Sequence, residues 1–190
     1  MAVQKTKQFK KEWIKIISPE VFGNVEIGES PVMELENCIG RVIETSLYEL
    51  TGDASKYYIN LLFKINKIEG AHAKTVFHGH YCTSDFISRI VQPRTSRVDI
   101  ILPVKFKDAS LILKMIAITN RRVGKRIASE IRKKVSEIVK NYAEQTDLNT
   151  FLKSFISGQI QTQIRQEANK IYPLRIFEIH KSEVQSLEKL

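Results

Sequence analysis

Two stretches of this chain place chemically capable side chains at close spacing. The first is His78-Gly79-His80-Tyr81-Cys82. Alternate residues of a strand share a face, so His78, His80 and Cys82 would project together, and His-x-His beside a thiolate is a zinc geometry. No fourth ligand is evident, and His72 lies roughly 20 Å back along an extended strand. Gly79 also invites a bulge that would break the alignment. The stretch is expected to hold core, surface or RNA-contacting histidines and no metal. The second stretch runs from Asn120 to Glu144. Its first half carries Arg121, Arg122, Lys125, Arg126, Arg132, Lys133 and Lys134 against one acid, Glu130. Guanidinium forks at this density suit phosphate.

Sequences that build an active site are missing. There is no Gly-x-Gly-x-x-Gly, no phosphate-binding loop, no His-Glu-x-x-His and no Gly-x-Ser-x-Gly. Glu34, Glu36, Glu44 and Glu49 are scattered, without a partnered base. The expectation is a binding protein with no catalytic residue, no cofactor and no small-molecule substrate. A metal-dependent enzyme around His78 and His80 is the alternative from another class.

The rest of the composition fits that expectation. Lys and Arg total 30 against 21 acids, a net +9 with a pI near 9.5. Such an excess favours a polyanionic partner, although its distribution has to decide. With 190 residues, 43% hydrophobic, the chain supports one domain with a real core. Cys38 and Cys82 are expected to stay reduced. No apolar run approaches the roughly 18 residues of a membrane span. The N-terminus is basic without an apolar signal segment. A soluble cytosolic protein is expected.

Positioning these residues requires two kinds of element. From Trp13 to about Thr119 the hydrophobic period is mostly two. Tyr57, Ile59, Leu61, Phe63 and Ile65 would share one strand face. Residues 40–50, 71–83, 97–106 and 110–119 read as further strands, separated by turns at 51–53, 69–70 and 107–108. One short helix over 83–91 interrupts, with Thr83 or Ser84 as its cap. After Asn120 the period becomes helical: Ile127, Ile131, Val135, Ile138 and Tyr142. A second helix should bury Leu148, Phe151, Leu152 and Phe155 and stop at Gly158. A third uses Ile160, Ile164, Ala168 and Ile171, before a last strand from Pro173. The predicted fold is α+β: an antiparallel, β-barrel-like body followed by C-terminal helices and a final strand. Its parts would be a basic arm (1–12), the body (13–119), a helical part with the last strand (120–180) and a tail (181–190).

The helix after Asn120 would dock its isoleucine stripe on the body and turn its cations outward. The stripe lacks the Trp, Phe and Leu that favour a membrane interface. Nucleic acid is the favoured partner, against a plain solvated face, a membrane or a partner's groove. Arg94 and Arg97 sit between a helix and a strand and would extend the patch. Lys5, Lys7, Lys10 and Lys11 form an arm of the kind that orders on a polyanion.

Residues 39–50, "IGRVIETSLYEL", resemble the signature of the S-three-a-e family of ribosomal proteins, also called the e-S-one family. Gly40, Arg41, Val42, Glu44, Ser46, Leu47 and Leu50 match, and Glu49 stands where Asp is usual. "TVFHGHYCTSDFISRIV", "ITNRRVGKRIASEIRKKVSEIV" and "NKIYPLRIFEIHKSEV" are similar to later family segments in the same order. The resemblance implies a structural constituent of the small ribosomal subunit, of archaeal type, cytoplasmic in the ribosome. It implies contact with 16S-type ribosomal RNA and with neighbouring proteins on the platform, and no membrane, catalysis or cofactor. Arg41 joins the RNA-contacting set through it. A non-ribosomal RNA- or DNA-binding module is the other alternative.

Overall fold

The computed structural model describes residues 11–33 and 35–187. Among these residues eight strands form one sheet: β1 (Glu12–Ile17), β2 (Glu26–Val32), β3 (Val42–Ser46), β4 (Ile59–Glu69), β5 (His72–Cys82), β6 (Arg97–Lys105), β7 (Ala109–Thr119) and β8 (Leu174–Leu187). Among the described residues five α-helices accompany it: α1 (Leu47–Thr51), α2 (Ser84–Ile90), α3 (Lys125–Gln145), α4 (Leu148–Ser157) and α5 (Gln159–Asn169).

The fold is mixed α/β, and its sheet forks at β5. One edge of β5 pairs with β4, which carries β3. The other edge is shared. Residues His72–Lys74 pair in parallel with β1, and Gly79–Tyr81 pair antiparallel with β8. From there the order continues β8-β7-β6, and β1 carries β2. The barrel-like body does not form, because among the described residues β2, β3 and β6 each pair on one side only. Helices, not a closing strand, cover the apolar face: Ile131, Val135, Phe151, Phe155, Ile160 and Ile164 join one core with Leu61, Phe63, Ile100 and Leu113. Nor is the sheet wholly antiparallel, given the β1–β5 pairing.

Alternation accounts for the strands. Val98, Ile100, Leu102 and Val104 of β6 point into the core, with exposed residues between them. Pro103 is tolerated because β6 is an edge strand. Ile59, Leu61, Phe63 and Ile65 share the buried face of β4, but Tyr57 precedes that strand and is exposed. The β-like reading of residues 47–50 is corrected to a helix. Ser46 caps α1, accepting a hydrogen bond from the Glu49 N–H at 3.4 Å. Thr45 donates to the Glu49 carboxylate at 2.7 Å. Ser-x-x-Glu is a capping-box spacing, a local signal strong enough to overrule four residues of apparent alternation.

Three boundaries move. Glu12 belongs to β1 and not to the arm. The helix expected after Asn120, α3, begins at Lys125, after a loop at 120–124. Residues 181–187 belong to β8, because β7 reaches back to Ala109 and pairs there with Leu187. The helical stripe is as expected at Ile131 and Val135 and continues through buried Val139 and Ala143, with Ile127, Ile138 and Tyr142 half-buried. Asp108, in the β6–β7 turn, accepts from the first amide of α4 at 2.9 Å.

Candidate nucleic-acid interface

The basic segment begins in a loop held by its neighbours. Thr119 ends β7, and its hydroxyl accepts from the Ser96 N–H at 3.0 Å and donates to the Arg121 carbonyl at 2.6 Å. The Val123 N–H donates to the Ser96 hydroxyl at 3.1 Å. The Asn120 N–H donates to the Pro173 carbonyl at 3.2 Å. Three segments distant in sequence, 92–97, 119–124 and 173–175, thus meet at one end of the β6-β7-β8 ladder. Arg94, Arg97, Arg121 and Arg122 are exposed on them, and Lys125 and Arg126 are exposed just beyond, at the start of α3. Arg94 holds a left-handed φ of 66°, uncommon for a residue with a side chain.

Helix α3 starts badly for an isolated helix. Gly124 supplies no side-chain cap, and the first turn carries no acid but both Lys125 and Arg126. Cations at the positive end of a helix are each disfavoured by about 0.3–1 kcal/mol. First-turn amides lack intrahelical acceptors as well. An anion seated there reverses both penalties. Further along, Arg132 donates to the Asp99 carbonyl at 3.1 Å and so fastens α3 to the β6 edge. Lys133 is exposed, whereas Lys134 is half-buried and pairs with Glu137 at 3.3 Å. Arg126 pairs with Glu130 at 3.2 Å, and Arg97 with Asp99 at 2.8 Å. For Arg94, Arg121, Arg122, Lys125 and Lys133 there is no acid at ion-pair distance among the described residues.

Not every expected residue joins this cluster. Arg41 lies across the sheet, before β3, and is engaged with the protein itself. It donates to the Asn37 carbonyl at 3.1 Å, the Ser30 hydroxyl at 2.8 Å and the Pro31 carbonyl at 3.0 Å. Lys11 is exposed beside the start of β1, also away from α3. Lys5, Lys7 and Lys10 lie outside the described residues. One cation was missed: Arg175, read only as part of a strand, bonds Gln92 in the α2–β6 loop. Only the β7–β8 register, with Ile118 opposite Ile176, brings it there.

The His-Gly-His stretch is dismantled by a bulge. Leu62 pairs with Gly79 and Phe63 with Phe77, leaving His78 unpaired and turned from the face shared by His80 and Cys82. His80 is buried, and both ring nitrogens are engaged: Nδ1 with the Ser182 hydroxyl at 2.6 Å and Nε2 with the Ile179 carbonyl at 2.8 Å. Burial pushes its pKa down to about 4, so it is neutral in the fold at neutral pH. Burial pushes the Cys82 thiol up. Cys38 is buried in a separate cluster with Ile14 and Ile65. No group of three potential metal-ligating residues occurs among the described residues. Gly79 is required for a different reason: a Cβ there would stand 2.3 Å from the Ser182 carbonyl oxygen.

Taken together, the fold and this surface define a mixed α/β protein that gathers arginines and lysines at one end of an open sheet. The chain belongs to the Ribosomal S3Ae family, whose model matches residues 2–187. It is 35% identical over 181 residues to "Small ribosomal subunit protein eS1" of Sulfurisphaera tokodaii, covering 95% of this chain and 94% of the relative. The identity is 36% over 182 residues to the protein of that name from Sulfolobus acidocaldarius, covering 95% and 92%. For Saccharolobus islandicus it is 34% over 181 residues, covering 95% and 87%. No described helix is long and apolar enough to cross a membrane.

Proposed function

We infer that this chain is a structural component of the small ribosomal subunit of archaeal type, acting in translation in the cytoplasm and not as an enzyme. Ribosomal RNA and other ribosomal proteins are its partners. The basic end of the β6-β7-β8 ladder takes RNA phosphates, with Arg94, Arg97, Arg121, Arg122, Lys125 and Arg126 as the principal contacts and Arg132, Lys133 and Lys134 at its flank. The observation that carries this is the unfavourable start of α3: two cations and no acid at an uncapped helix N-terminus, beside two arginine-bearing loops stitched to it. Contacts of this kind read shape and backbone, because the major groove of A-form RNA is too deep and narrow for side chains. Lys5, Lys7, Lys10 and Lys11 would add phosphate contacts of their own, and Arg41, tied to Asn37, Ser30 and Pro31, would not join them. A place on the platform of the subunit, next to other proteins, is supported by the family alone.

Sedimentation tests this reading. Protein added to small subunits depleted of it is expected to travel with them through a sucrose gradient at high salt. Release from the subunits, with equal affinity for unrelated RNA or DNA, would show instead a non-ribosomal nucleic-acid-binding module.

A further inference from the structure

Away from the basic end, a cleft of about 270 Å³ opens between β4, β8, α5 and the end of α4. Its floor holds an acid that the inferred function leaves unused. Glu178, on β8, is 9% exposed, and a Gln161 amide donates to its Oε1 at 3.3 Å. The Tyr58 hydroxyl lies against the same carboxylate. Burying a carboxylate is costly, and with the Ile179 N–H as a further donor Glu178 has three partners for about four accepting positions. The second observation is independent of the first. Oε1 of Gln161 is buried and has no hydrogen-bond partner, which for a buried acceptor calls for an explanation. The cleft therefore offers acceptors at its floor, with the side chains of Lys56 and Arg165 also lining it. Tyr58, half-buried and stacked on Phe86, supplies the aromatic part of the wall, and Phe155 is buried against His80.

We propose that this cleft receives the base of an unpaired guanine nucleotide of RNA. This rests on the RNA-binding reading above and deepens it from phosphate contact to base recognition. The donor pattern selects the base. Guanine presents two adjacent donors on its Watson–Crick edge, N1–H and N2–H, a fork that matches the two oxygens of one carboxylate. Adenine and cytosine place an acceptor beside their single amino group, and uracil offers one N–H between two carbonyls. Against those bases Glu178 would face an acceptor. Gln161 Oε1 takes the remaining amino hydrogen, Lys56 keeps its Nζ on the Ile156 carbonyl, and Arg165, whose Nε donates to the Leu174 carbonyl at 3.2 Å, takes the phosphate with its other guanidinium N–H groups. Recognition of splayed-out bases by hydrogen bonds to this edge, between aromatic walls, is the usual way proteins read RNA sequence.

The test is fluorescence anisotropy on the full chain with labelled r(UUGUU), r(UUIUU), r(UUAUU) and r(UUUUU). The guanine oligonucleotide is expected to bind roughly tenfold or more tightly than those with adenine or uracil, with inosine, which lacks the N2 amino group, in between. Glu178→Gln is expected to bring r(UUGUU) to the level of r(UUUUU). Should that variant fail to fold, Thr162→Trp decides, because Thr162 is exposed at the cleft and a large ring there blocks entry. Equal affinity of the unaltered protein for all four overturns the proposal, as does a guanine preference that survives Thr162→Trp. Saturation by GMP as tight as by r(UUGUU) overturns the assignment to RNA in favour of a free nucleotide. If a small-subunit RNA fragment binds but shows no dependence on Glu178 or Thr162, only the cleft assignment fails. If that fragment does not bind at all, the RNA-binding reading fails with it.

Discussion

Replacing Arg121, Arg122 and Arg126 together by Ala probes the basic end where it is least protected by the protein's own acids. Arg121 and Arg122 are exposed in the stitched loop without an acid at pairing distance among the described residues, and the Arg126 side chain is 92% exposed with one partner, Glu130. Each phosphate they neutralise adds about 0.7 to 0.9 to the slope of log affinity against log salt. Losing all three should lower that slope by about 2 to 3, or by about 1.5 if Arg126 stays with Glu130 when RNA is bound. Stability should move the other way or hardly at all. Arg126 gives up a surface ion pair worth about 0.3–0.5 kcal/mol, while its removal relieves a cation at the positive end of α3. The net change should lie within about 0.5 kcal/mol. The assay is a salt titration of binding to a small-subunit RNA fragment, alongside urea unfolding. Ile131→Ala is the converse control: Ile131 is fully buried, so it should cost roughly 2–5 kcal/mol and leave the salt slope of the folded fraction unchanged. An unchanged slope in the triple variant would make this end an ordinary solvated surface and move the RNA contact elsewhere.

Gly79→Ala should destabilise by roughly 2–4 kcal/mol in urea unfolding, since the new methyl meets a backbone carbonyl that cannot swing aside and β5 meets β8 at only three residue pairs; a loss below 1 kcal/mol would mean that the two strands can separate freely. Acid should also weaken the fold. The unfolded chain protonates His80 near 6.5, and the folded one resists until about 4, so the His80 contribution is complete above pH 6.5 and lost as pH falls towards 4, by about 2 kcal/mol at pH 5. Glu178, whose carboxyl is pushed up by burial, works against this trend. His80→Gln should flatten the loss between pH 7 and 5, and an equally steep loss in that variant would assign it to other groups. Chelator or added zinc should leave the melting temperature unchanged, because both His80 nitrogens are occupied and His78 faces away; a drop of several degrees on chelation, abolished by His78→Ala, would contradict that.

Much of the fold could be read locally. The period-two runs of β4 and β6 and the 3.6-residue period of Ile131 and Val135 report burial that each element decides by itself. The stop at Gly158 is equally local: it takes φ 78° and closes α4. Where the reading went astray, a stronger signal of the same kind was present, as in the Ser46–Glu49 capping box, or the deciding partner was far off in sequence. The parallel pairing of β1 with β5 and the extension of β8 to Leu187 depend on partners about 55 and 80 residues away, and neither leaves a mark in its own segment. The interface divides the same way. The cations of α3 and its preceding loop were visible as a run. Arg175 was not, because it reaches the cluster only through strand register.

The sequence by itself determined that this protein is basic, that its cations concentrate after Asn120, and that its order of motifs places it with a ribosomal family. Those are properties of composition and of local spacing, which folding does not alter. Tertiary structure decided which charges act together. It joined Arg94 and Arg97 to Arg121 and Arg122 through Ser96 and Thr119, kept Arg41 for internal contacts, and turned His78 away from His80 by a single bulged residue. It also buried Glu178 beside an unpartnered Gln161 oxygen, contributed by a strand and a helix 17 residues apart. The physical reason is that charge pairing, desolvation and hydrogen-bond satisfaction depend on distances between segments, and those distances are fixed only when the sheet and helices pack.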